Sequence, residues 1–143
     1  MSQPIVAALH AFTDARSEEQ LQALDAAIRS IDPLRCGKSE VKALLGIFER
    51  FPEQDGFGVF WGILHVLEAC RDYEPELVAS VQRKPCEFNV LMVNRLLNAG
   101  VTEVSGSSLE DLLLSARASG KATSQALHDI EHYLARRAGE GEA

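Results

Sequence analysis

The stretch DGFGVFWGILHVLEACRDYEPE, Asp55 to Glu76, opens with an acid and two glycines, runs almost unbroken through apolar residues, and closes in acids. Phe57, Phe60, Trp61, Leu64 and Leu67 recur at the 3,4 spacing of a helix face, and Val59, Ile63, Val66 and Cys70 trace a second such line. A helix patterned this way is apolar most of the way round and belongs in the middle of a bundle, with Trp61 and Leu64 in the core. Gly58 and Gly62 lie on it one turn apart. Each costs about 1 kcal/mol relative to Ala, which close approach of a neighbouring helix offsets.

On either side of this segment the periodicity is helical throughout, and no strand is expected. Pro4 to Asp14 begins with proline in a first-turn position, and Ser17-Glu18-Glu19-Gln20 is a capping box for a helix that ends near Ser30, with Leu21, Leu24, Ile28 and Ile31 as its stripe. Pro33 and Gly37 turn the chain. A third helix, Ser39 to Phe51, buries Val41, Leu44, Leu45 and Phe48, and Pro52 and Gly56 bracket the loop before the central segment. Downstream, the pattern predicts helices over Glu76–Gln82, Glu87–Asn98, Ser108–Ser119 and Thr123–Arg137, with Gly100 and Gly120 as stops and TEVSGSS as a polar turn.

About eight helices with short loops imply successive antiparallel pairs. The fold expected is therefore all-α, a HEAT-like α-solenoid, with a compact orthogonal bundle as the alternative. No repeat at tetratricopeptide or ankyrin period is present. One helical domain over 1–138 is expected, followed by a disordered tail at 139–143. A chain of 143 residues is long enough to bury a core without staples. Its three cysteines, Cys36, Cys70 and Cys86, are odd in number and lack CxxC spacing, so neither a disulfide framework nor a structural zinc site is expected. The N-terminal MSQPIVAALHAF has no signal-peptide pattern, and the longest apolar run is broken by Gly58, Gly62, His65 and Glu68; a cytoplasmic protein is expected.

The sharpest catalytic pattern is His128-Asp129-Ile130-Glu131-His132, which satisfies H-x-x-E-H with two histidines on one helical face. A hydrolase built on His128, Glu131 and His132 would need a third ligand and a cleft. The dry face of that helix, Leu127, Ile130 and Leu134, lies elsewhere, which makes the histidines a solvated face. Cys70 and His65 are five apart and project in different directions, so they do not form a nucleophile–base pair. GKSEV lacks the leading glycine of a phosphate loop. No catalytic residue, metal or cofactor is therefore expected.

The net charge of −7 disfavours nucleic acid. Between Glu49 and Glu76 stand seven acids against two bases, so most of that charge sits in one fifth of the chain. Such a segment either solvates the domain or steers a basic protein partner. Candidate partner-binding residues are Asp55, Asp72, Tyr73, Glu74 and Glu76, with Tyr73 as an exposed anchor inside a charged rim.

DGFGVFW with His65 and Glu68, then Tyr73-Glu74, then the helix from Phe88 closing in NRLLNAG, resembles segments of small, acidic, all-helical bacterial immunity proteins. The resemblance covers 55–100. It implies a non-enzymatic inhibitor that occludes a toxin, with an acidic surface complementing a basic toxin domain. A generic helical-repeat adaptor is the alternative. Neither reading places the chain at a membrane.

Overall fold

The computed structural model describes residues 3–141, with side-chain surroundings for 4–139. Among the described residues the chain is all-α, with eight α-helices and one very short hairpin. None of the helices is long and apolar enough to cross a membrane. Two compact units divide the chain, Met1–Glu76 and Leu77–Ala143.

The first unit holds α1 (Gln3–Ala11), α2 (Glu18–Arg29), α3 (Lys38–Arg50) and α4 (Val59–Ala69). α1 packs on α2 and α3, α2 on α4, and α3 on α4. The start of α2 follows its sequence signal, with Ser17 Oγ accepting from Gln20 N–H at 3.2 Å. The Gln20 carbonyl oxygen turns the other way and accepts from Thr13 N–H at 2.7 Å and Asp14 N–H at 3.0 Å, tying the preceding loop to the same helix start. The core is the apolar stripe of each helix: Leu9, Leu24, Leu44, Phe48, Phe60 and Leu64 are all essentially inaccessible.

The last carbonyls of a helix have no partner within it. At the end of α1 that need is met from outside. Arg50, at the end of α3, donates from Nη1 to Phe12 O at 2.6 Å and from Nη2 to Leu9 O at 3.1 Å. Hydrogen bonds from a charged donor are worth about 1.5–3 kcal/mol, and exposure puts this pair at the low end. Arg50→Ala is expected to lower stability by about 2 kcal/mol in a urea titration. A change within experimental scatter would mean that water replaces the guanidinium.

α5 (Glu74–Arg83) spans the boundary, and the second unit continues with α6 (Glu87–Asn98), α7 (Leu109–Ala118) and α8 (Ser124–Gly141). α6 and α7 each pack on α8 and on one another. Asn89 is fully buried and organises the turn before α6. Its oxygen accepts from Cys86 N–H at 2.8 Å, and its amide nitrogen donates to Ser80 Oγ at 3.1 Å and Lys84 O at 2.9 Å. A buried amide with its donors and its acceptor in use specifies one arrangement of that turn.

Three local expectations are corrected. TEVSGSS forms a hairpin, β1 (Glu103–Val104) antiparallel to β2 (Ser107–Ser108). Ser105 and Gly106 have φ of 52° and 81°, as a two-residue type I′ turn requires. α8 continues to Gly141 instead of ending at Arg137, while residues 142–143 of the expected tail lie outside the described residues. α5 begins at Glu74, because Pro75 fits a first turn where the missing N–H has no intrahelical partner to lose.

Candidate protein-docking surface

α4 does not begin at Phe57, and the reason lies in three successive left-handed residues. Gly56, Phe57 and Gly58 have φ of 59°, 52° and 92°. Asp55 directs this turn: its Oδ1 accepts from Phe57 N–H at 3.0 Å, and its carbonyl accepts from Gly58 N–H and Phe60 N–H, both at 3.1 Å. Gly56 is buried beneath Phe60 and Leu21, where a side chain would collide with both. Phe57 is thrown outward and is 80% exposed.

On the first turn of α4, Trp61 is 43% exposed, and His65 follows one turn later, also exposed. The inward positions of the helix are Phe60, Ile63, Leu64 and Leu67. Leu64 thus meets its expected place in the core, while Trp61 and Phe57 do not. The correction has a physical cause: α2 and α3 pack on the side of α4 that carries Phe60, Ile63, Leu64 and Leu67, and the side that carries Trp61 and His65 stays open.

Beside Phe57 lies an open groove of about 710 Å³ between α2 and the Gly56–Gly58 turn. Leu21 and Val59 form its apolar floor, with Arg16, Glu18 and Asp25 at the edge. Asp25 is held by Arg29 at 2.9 Å, an exposed pair one helical turn apart. A left-handed backbone costs a residue with a Cβ about 1–2 kcal/mol. Nothing in the packing of Phe57 returns that energy, because its ring faces water. Strain of this kind beside exposed aromatic side chains makes this surface the candidate for binding.

The five acidic-segment residues separate. Asp55 stands at the aromatic surface, exposed. Asp72, Tyr73, Glu74 and Glu76 follow the other end of α4, which is about 16 Å long at 1.5 Å per residue. Tyr73 is only 6% exposed, so it is no surface anchor. Asp72, with φ of 56°, reverses the chain directly before it, and Tyr73 enters the interior as α5 begins. Glu76 is half-buried and meets Lys38 Nζ at 3.5 Å. Asp72 is exposed and Glu74 half-buried. The exposed aromatic anchor expected at Tyr73, between Asp72 and Glu74, is thus not found there, and the exposed aromatics are Phe57 and Trp61, toward the Asp55 end of α4. The signal was present in the sequence: an acid followed by Gly-Phe-Gly reads as an Asx turn more readily than as a helix start.

His128, Glu131 and His132 are exposed on α8, and Asp129 accepts from Gln125 at 2.9 Å. Among the described residues no three His, Cys, Asp or Glu side chains converge on a site that could hold a metal. His65 faces solvent while Cys70 is buried.

No family model, no curated protein and no solved structure matches this chain.

Proposed function

We propose that this chain is a non-enzymatic protein-binding module. Phe57 and Trp61 anchor a basic protein partner, and Asp55 and Glu18 supply the acidic rim. The observation that carries the reading is Phe57, an aromatic ring 80% exposed on a left-handed backbone. Aromatic anchors within a polar rim dominate protein interfaces, and a net charge of −7 favours encounter with a cationic surface. The resemblance of 55–100 to bacterial immunity proteins supports a narrower form of the same proposal. In that form the partner is a cognate toxin, and binding in the cytoplasm occludes its active site.

Phe57→Gly separates binding from folding. Glycine relieves left-handed strain of about 1–2 kcal/mol and adds about 0.5–1 kcal/mol of backbone entropy cost, so stability is expected to hold or rise slightly. Affinity moves the opposite way. With the partner recovered from the native cell and purified, Phe57→Gly and Trp61→Ala are each expected to weaken binding by about 30-fold, the size of an interface hot spot. Association is expected to slow with added salt, because exposed charges are screened over about 10 Å at 0.1 M. Unchanged affinity in both variants would remove this surface from the interface. A toxin as the partner, with host cells protected by the wild-type chain and unprotected by Trp61→Ala, would select immunity over an adaptor role.

A further inference from the structure

The first turn of α3 opens onto a cavity of about 390 Å³ within the first unit, with Ile5 and Ile31 as its apolar wall. The N-cap of that helix is Gly37, which has no side chain to accept from it. Among the described residues the amides of Lys38, Ser39 and Glu40 find no acceptor, so this helix end attracts negative charge. Arg35 and Lys38 stand at the edge, largely exposed and loosely held by Asp32 at 3.8 Å and Glu76 at 3.5 Å. The same cavity also accepts positive charge. Glu40 lines it and is only 6% exposed. Its Oε2 accepts from Gly37 N–H at 3.1 Å, while Oε1 has no hydrogen-bond partner among the described residues and is not sealed from the cavity. Asp32 is already committed, with Oδ1 accepting from Leu34 N–H at 3.0 Å and Oδ2 facing Arg35. A carboxylate oxygen in so enclosed a place gains most from a charged donor.

Such a lining favours neither a simple anion nor a simple cation. We infer that the cavity binds a zwitterion, a free α-amino acid with a small apolar side chain. The ligand carboxylate accepts from the uncapped amides of α3, with Arg35 and Lys38 beside it. The ligand ammonium donates to Glu40 Oε1, and the apolar side chain lies against Ile5 and Ile31. One carbon separates the two charges of an α-amino acid, and one helical turn, Lys38 to Glu40, supplies both the donors and the acceptor. The volume falls at the small end of the range for ligand sites, about 300–1,000 Å³, as a ligand of this size requires. The cavity shares no lining residue with the groove beside Phe57, so this inference stands or falls independently of protein docking there.

The test titrates the full chain with L-valine and follows the backbone amides by NMR and the heat by calorimetry. Isobutylamine and isovalerate, which lack the carboxylate and the amine of valine respectively, serve as matched half-ligands. L-Valine is expected to bind saturably at one site with a Kd of about 1 mM or tighter, moving the Lys38, Ser39 and Glu40 amides. Each half-ligand is expected to bind at least about tenfold more weakly, since each forfeits one set of charged hydrogen bonds. Glu40→Gln keeps an oxygen for Gly37 N–H and so preserves the helix start, but it is expected to weaken L-valine by about tenfold or more. No saturable binding, a half-ligand as tight as L-valine, or undiminished binding in the folded Glu40→Gln variant would each overturn the site. The wild-type comparison of the three ligands decides the question should the variant fold poorly.

Discussion

Phe60→Ala is expected to destabilise the first unit by about 3–5 kcal/mol, the range for truncating a buried aromatic. Phe60 is fully buried and is the ring on which the others converge. Phe12 and Phe48 lie 6.1 Å from it, centroid to centroid, and Phe51 lies at 6.5 Å, in tilted or edge-on arrangements. Such pairs add about 0.5–1.5 kcal/mol each beyond area burial, which places the expected value toward the top of the range. Because a domain of this size is stable by only about 5–15 kcal/mol, the variant should unfold at a much lower denaturant concentration. Trp61→Ala, on the adjacent residue, should cost under about 1 kcal/mol, since surface positions tolerate truncation. Urea unfolding of the two variants side by side checks both. Equal losses would mean that Trp61 is part of the core and that α4 has no open face.

Gly56→Ala is expected to cost about 2–5 kcal/mol, although it adds a single methyl group. Two penalties coincide at this position. The backbone has φ of 59°, where a residue with a Cβ is disfavoured, and the new methyl would stand 2.8 Å from Phe60 Cε1 and 3.1 Å from Leu21 Cδ2. The closer neighbour cannot swing aside, because the Phe60 ring is itself packed among three others. Gly58→Ala provides the control: it shares the positive φ, at 92°, but its Cβ would meet nothing within 4 Å. The difference between the two alanine variants in thermal or urea unfolding isolates the packing contribution. If they lose the same stability, the collision is relieved by a small shift of α4 and only backbone strain remains.

The helices were legible because their signals are local. The stripe of α2, the cap at Ser17, the extent of α6 and the start of α7 at Ser108, whose Oγ accepts from Asp111 N–H at 3.1 Å, follow from residues within a turn of one another. The surface at Phe57 was not legible, because apolar periodicity does not say which residues of one apolar line a neighbour will cover. Trp61 and Leu64 read alike in the sequence and separate only through the packing of α2 and α3. Tyr73 failed for the complementary reason: flanking acids suggested exposure, but a left-handed Asp72 set its direction. Asp55 was legible as a loop acid and Asp-Gly-Phe-Gly as an Asx turn, but that pattern does not say that Phe57 itself takes a left-handed backbone and turns outward.

The guanidinium of Arg50 also bears on the order in which the first unit is assembled. Its acceptors, Phe12 O and Leu9 O, precede it by 38 and 41 residues, so α1 is synthesised well before the group that finishes its end. At about 5–20 residues per second of synthesis, α1 waits seconds for α3 to emerge. A nine-residue helix is marginal by itself, well below the length at which isolated helices hold together. The end of α1 is therefore completed only once α3 has been made, although α1 also packs on the earlier α2.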